Sequence, residues 1–155
     1  MEYFPSVMTE ADTAGMMARI EGHFEEHDFG LWAVEIGVSG EFVGFTGLST
    51  PNFEASFMPA VEVGWRFGKD YWGHGYATEA ARAVLGFGFE QVGLDEIVSF
   101  TASANVRSTK VMDRIGMTHD ASDDFDHPSL ESDSPLRRHV LYRMAATAWA
   151  ELNRR

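Results

Sequence analysis

From Thr9 onward the apolar positions Met17, Ile20 and Phe24 recur at helical spacing. Thr9, followed by Glu10 and Asp12, has the chemistry of an N-terminal cap, so a helix is predicted over residues 9–26. The period then shortens. "LWAVEIGV" and "EFVGFTGLS" are β-rich runs separated by "SG", which predicts a hairpin with a short turn. "PAVEVGWRF" predicts a third strand after a proline-containing loop. Past a glycine-containing segment, "ATEAARAVLGFGFEQVG" (residues 77–93) places small and large apolar residues at helical period and predicts a helix despite Gly86 and Gly88. "EIVSFTA" reads as a strand, "VRSTKVMDRIG" as a helix closed by Gly116, and "HVLYRMAA" as the last strand. The order is helix, three antiparallel strands, loop, helix, strand, helix, strand. With no internal repeat and no linker, residues 1–155 are expected to form a single α+β domain.

Composition narrows the partners. The 155 residues are 45% hydrophobic and 13% aromatic, enough for a core of that size. With 24 acidic against 12 basic residues the net charge is −12, which repels a nucleic-acid backbone and mildly favours cationic substrates such as amines. The acidic stretch "HDASDDFDHPSLESD" (residues 119–133) reads as a solvated loop. No cysteine is present, which removes disulfides, thiolate metal sites and an acyl-cysteine intermediate together. No apolar stretch is long enough to span a bilayer and no secretory pattern opens the sequence, so a soluble, cytoplasmic protein is expected.

Candidate chemistry concentrates at two strand-to-helix junctions. In "DYWGHGYATEA" (residues 70–80), Gly73 and Gly75 run directly into a helix, leaving open backbone beside the unpaired N–H groups that begin it. Such a junction can cradle a phosphate, and it can equally be a tight turn. A dinucleotide fingerprint fits poorly, because its third glycine position is Thr78 and three strands precede the loop. A Walker A loop fails, since no Gly-Lys-Ser/Thr follows. At the second junction, "TASANVRSTKVMDRIGM", Asn105 can cap the helix while Ser108 on its first turn faces the same opening.

In series these segments resemble the GNAT superfamily of acetyl-coenzyme A-dependent N-acetyltransferases, especially its ribosomal-protein-alanine acetyltransferase-like branch. Gly75 and Ala77 match the two small positions of the family's pyrophosphate motif, Gln/Arg-x-x-Gly-x-Gly/Ala, while Trp72 stands where Gln or Arg is usual. Asn105-x-x-Ser108 matches the next motif, "VEVGWRF" the strand that carries the pantetheine arm, and "LRRHVLYRM" the C-terminal section. The resemblance implies a mixed, mostly antiparallel sheet flanked by helices. It also implies acetyl-coenzyme A as cosubstrate, contacted by Trp65, Phe67, Gly73, His74, Gly75, Tyr76, Ala77, Thr78, Asn105 and Ser108. The expected reaction is acetyl transfer to a primary amine, on a small molecule or a peptide, by direct attack. A coenzyme A-binding sensor without catalysis would carry the same binding motifs.

Such a transfer needs an amine freed of its proton, a donor for the developing oxyanion and a proton for the departing thiolate. Glu62 is the candidate base: alternation through "VEVGW" sets its carboxylate opposite the apolar side chains, where a solvated sheet face is the competing reading. The resemblance makes Ser108 the general acid, because the helix lacks the tyrosine that other branches use. Backbone N–H groups of residues 62–67 could polarise the carbonyl. His23 and His27, one helical turn apart, lack a third ligand nearby and read as a solvated face, so no metal is expected. His74 is expected to lend only its backbone, and His139 reads as an ordinary strand residue.

Relatives of this branch open with a strand and a helix before the segment that residues 1–5 resemble. The first strand and helix are therefore expected to be missing, leaving "LWAVEIGV" as an edge with an uncovered apolar face. A homodimer or an aggregation-prone monomer is the expected consequence.

Overall fold

The computed structural model describes residues 7–154; the segment 1–5, on which the expectation of a missing first strand and helix rests, lies outside them. Helix α1 (Glu10–His27) begins in a complete capping box, in which Thr9 Oγ1 accepts from Asp12 N at 3.1 Å and Asp12 Oδ2 from Thr9 N at 2.9 Å. Strands β1 (Leu31–Glu35) and β2 (Phe42–Ser49) form the hairpin, but its turn is wider than "SG". A register irregularity between Val34 and Glu35 ends regular pairing early, and the Gly40 N–H closes back on the Ile36 carbonyl at 2.7 Å.

Strand β3 (Glu62–Phe67) pairs antiparallel with β2. Helix α2 (Tyr76–Gly86) is shorter than the predicted 77–93: the ladder widens into a π-helical segment, Phe87–Val92, where Gly88 sits so close to Ile97 that an added Cβ would stand 2.7 Å from its Cδ1. Strand β4 (Glu96–Ala102) and helix α3 (Val106–Arg114) follow as predicted.

Residues 119–133 are not simply a solvated loop. Strands β5 (Thr118–His119) and β6 (Phe125–Asp126) both pair with β7 (Arg138–Ala145), and Asp123 holds Arg143 through a 2.9 Å contact to Nε. Two-residue strands carry no periodicity to read. Helix α4 (Ala146–Leu152), which the sequence pattern also missed, buries Trp149, whose Nε1 donates to Glu90 at 2.9 Å.

The strands form one mixed sheet in the order β1-β2-β3-β4-β7-β5, with only β3 and β4 parallel. Alternation along the strands divides the core. Val63, Ile97, Tyr142 and Met144 pack with Leu85, Met112 and Trp149 of the helices. Their sequence neighbours Val98 and Leu141 point the other way, into a cluster with Phe53, Phe57, Phe100 and Phe125. β1 is the sheet edge among the described residues, yet its Trp32 is not bare. The indole meets Phe24 edge-on at 5.4 Å and Phe87 at 5.2 Å.

Candidate active site

The site originates in a failure of pairing. Parallel β3 and β4 are joined at one register pair, Glu62 with Val98, where Val98 N donates to the Val61 carbonyl at 2.9 Å and Ser99 Oγ to the Val63 carbonyl at 2.9 Å. Beyond that point no further pairing joins them, and a cleft of about 700 Å³ opens between residues 64–67 on one side and 99–102 on the other. Strand main chain that would otherwise be in the ladder is left available to a ligand.

At the wide end stands the N-terminus of α2. Gly75 is its cap residue with φ +79°, and Gly73 has φ +82°, both in the left-handed region that favours glycine. No side chain caps this helix, so the N–H groups of Tyr76, Ala77 and Thr78 face the cleft side with the positive end of the helix dipole. A Cβ built on either glycine would meet nothing within 4 Å: the space in front of the turn is open. Trp72, which departs from the Gln/Arg of the motif, anchors the turn by donating Nε1–H to the Phe67 carbonyl at 3.0 Å. Its ring carries the Arg107 guanidinium 4.1 Å from the centroid. A cation thus reaches this corner from α3 instead of from the loop.

Asn105 caps α3 as predicted, its Oδ1 accepting from Ser108 N at 3.3 Å while its Nδ2 donates to Thr101 Oγ1 at 3.0 Å. Ser108 lines the cleft beside it. Trp65, Phe67, Gly73, Gly75, Tyr76, Ala77 and Thr78 line the same cleft, whereas His74 does not: it is exposed and stacked on Tyr76.

Glu62 lies at the closed end, partly buried, and receives a hydrogen bond from Ser49 Oγ at 3.2 Å. Burial pushes its carboxyl up to about 8, the Ser49 hydroxyl opposing only weakly. A solvated sheet face would not do this. Among the residues lining the cleft Glu62 is the sole acid, against Arg66, Arg107, Lys110 and Arg114. The acidic surplus of the chain therefore does not reach the cleft lining.

The sequence also concealed residues. Ser49, Phe100, Arg107, His127 and His139 line the cleft, and His139 is accordingly more than an ordinary strand residue. Each comes from a different segment and matches no local pattern. His23, by contrast, is neither on a solvated face nor in the cleft, since Nδ1 donates to the Phe29 carbonyl at 2.7 Å and Nε2 accepts from Thr50 N at 3.1 Å. Among the described residues no group of three metal-ligating side chains assembles, and no helix is long and apolar enough to cross a membrane.

A splayed parallel strand pair with an uncapped helix N-terminus at its mouth agrees with the match of residues 1–118 to the acetyltransferase (GNAT) domain family. The chain belongs to the GNAT family. That family uses acetyl-coenzyme A as its cosubstrate, and the open N–H groups beside Arg107 suit the pyrophosphate of such a molecule. Among curated relatives, the chain is 29% identical over 117 residues to the uncharacterized protein YkkB of Bacillus subtilis, covering 76% of this chain and 67% of that one. It is 38% identical over 96 residues to the FsC-acetyl coenzyme A-N(2)-transacetylase of Aspergillus fumigatus, covering 59% of this chain but only 40% of that protein's length. The GNAT-family acetyltransferase structure from Bacillus anthracis superposes with a TM-score of 0.74 at 25% identity, over 95% of this chain and 81% of that one. The ribosomal-protein-S5-alanine acetyltransferase of Vibrio fischeri superposes with a TM-score of 0.72 over 94% and 80%, but at 18% identity that likeness shows the fold alone.

Proposed function

We propose that this GNAT domain, a single unit over residues 1–155, transfers an acetyl group from acetyl-coenzyme A directly to a primary amine with no covalent enzyme intermediate. The observation that carries this reading is the desolvated Glu62 carboxyl in the same cleft as the uncapped helix N-terminus. The pyrophosphate rests on the N–H groups at the start of α2, and the pantetheine arm runs along the unpaired edge of residues 64–67. Asn105 and Ser108 close the other wall. The amine nitrogen attacks the thioester carbon, the C–N bond forms and the C–S bond breaks. The amine proton passes through water to Glu62, and the thiolate takes a proton relayed by Ser108, whose hydroxyl is reprotonated from water in the same step. A primary alkylamine with pKa ~10.4 gains from a base whose own pKa is raised, so turnover rises as pH passes about 8.

A sensor would have no use for a carboxyl held near 8 in its binding cleft. Residues 70–80 support the finer reading of the ribosomal-protein-alanine-like branch, and the free edge of β1 supports a homodimer, which light scattering tests directly. The decisive assay is release of free thiol from acetyl-coenzyme A across a panel of primary amines. Amine-dependent release supports transfer; coenzyme binding without release with any amine contradicts it.

A further inference from the structure

His127 and His139 are titratable groups of the cleft that the mechanism above leaves idle. They come from separate segments, since His127 follows β6 while His139 lies on β7 opposite Phe125. Their ring centroids are 5.0 Å apart, and both line the cleft together with Phe100. His139 is 9% exposed.

The hydrogen bonds of the backbone fix a different tautomer on each ring. His139 Nδ1 lies 3.1 Å from the Arg137 carbonyl, which can only accept, so Nδ1 carries the proton and Nε2 of the neutral ring keeps its lone pair. His127 Nδ1 accepts from Ser129 N at 3.2 Å, so in the neutral ring its proton sits on Nε2. Neither Nε2 has a hydrogen-bond partner among the described residues. One lone pair and one N–H donor are therefore left unused in the same aromatic pocket.

Sheet register locates them relative to Glu62. Glu62 pairs with Val98 and His139 with Ala102, four residues farther along β4, which is roughly 13 Å at strand rise. Alternation sets both on the face opposite the helices, with Phe100 midway between their levels. A thioester presented through the wedge near Phe100 would thus be flanked by Glu62 at the closed end and by His139 at the mouth.

Building on the acetyl-transfer reading, we propose that His139 Nε2 is a second proton acceptor for the incoming amine, with His127 Nε2–H as the donor that binds the acceptor beside it. As the C–N bond forms and the C–S bond breaks, the amine proton passes to His139 Nε2, directly or through one water, and the imidazolium returns it to solvent. The thiolate is protonated as before, so charge and protons balance.

The two acceptors divide the pH range. Burial holds both imidazoles below the usual histidine range; on His139 the bond to the Arg137 carbonyl opposes it and His127 adds a smaller push downward, so His139 keeps its lone pair at neutral pH. The Glu62 carboxyl, raised to about 8, is then mostly protonated. The other charges close to the pair in sequence, Asp126, Arg137 and Arg138, are bridged to one another at 3.9 and 3.5 Å. Phe53, Phe100 and Phe125, whose rings pack against it, carry no charge.

The test is the pH profile of amine-dependent thiol release for wild type, His139→Asn and Glu62→Gln, with acetyl-coenzyme A binding and thermal melting measured alongside. Asparagine can still donate to the Arg137 carbonyl while removing the Nε2 lone pair. Expected is a loss of on the order of 10²-fold near neutral pH for His139→Asn that narrows above pH ~8, and the opposite pattern for Glu62→Gln. A His139→Asn profile parallel to wild type overturns the proposal and leaves acetyl transfer standing; no amine-dependent turnover by wild type overturns both. Imidazole 15N spectra of the wild-type protein give a readout that needs no variant. Nδ1–H on His139 with Nε2–H on His127 supports the assignment, and the reverse tautomers overturn it.

Discussion

The two walls of the cleft are built by different means. The wall proposed to hold the coenzyme comes from contiguous runs, residues 72–78 and 105–108, and presents mostly backbone: helix N–H groups, two left-handed glycines and a cap. The wall proposed to receive the acceptor comes from Ser49, Glu62, Phe100, His127 and His139, five side chains on five segments that only the sheet register brings together. Backbone recognition of an anion is a local device, whereas selection and deprotonation of an amine need side chains aimed from several directions. One wall is therefore built locally and the other only by the tertiary fold.

Substitutions should separate the walls. The largest effect expected is on Glu62→Gln, which should lower kcat above pH ~8 by on the order of 10²- to 10⁴-fold while acetyl-coenzyme A titration gives an unchanged Kd. The same variant sharpens a stability prediction. Because the folded carboxyl titrates near 8 against an ordinary value of 4.5, the folded state holds its proton more tightly across that window. The Glu62 contribution to stability then falls as pH rises from 4.5 to 8, with the cost, on the order of a few kcal/mol, fully present above 8. Denaturant melts of Glu62→Gln should lack that slope.

On the other wall, Gly75→Val should weaken acetyl-coenzyme A binding by roughly tenfold or more. Its φ of +79° penalises a branched residue as well, so the variant should also lose about 1–3 kcal/mol of stability. Asn105→Ala should have the smallest effect, about 1 kcal/mol in a thermal melt from the lost cap, with a modest rise in KM for the coenzyme. A change in the amine KM without one in the coenzyme KM would break the assignment of Asn105 to the coenzyme wall.

This division also explains what could be read in the sequence. The capping box of α1, β4, α3 with its Asn105 cap and the glycine turn were legible because each depends on residues within one turn or one strand. The Gly75 cap signalled an open helix start for the same reason. Residues 119–133 looked like solvent-exposed loop because their acids outnumber their apolar residues, yet Asp123 is bound to Arg143 and Phe125 packs on Phe57 at 5.1 Å. Both partners are distant in sequence. His139 gave no signal for a related reason: its significance comes from His127 and from β4 beside it. Net charge is a sum over the chain and so gave no sign that the charged residues lining the cleft are mostly basic.

Direct acetyl transfer requires both walls to be occupied at once. Initial rates of thiol release, measured while acetyl-coenzyme A and a turned-over amine are varied together, test this most directly. A chain without cysteine that transfers acetyl by direct attack must give intersecting double-reciprocal lines. Parallel lines, the signature of an acetylated enzyme intermediate, would contradict it.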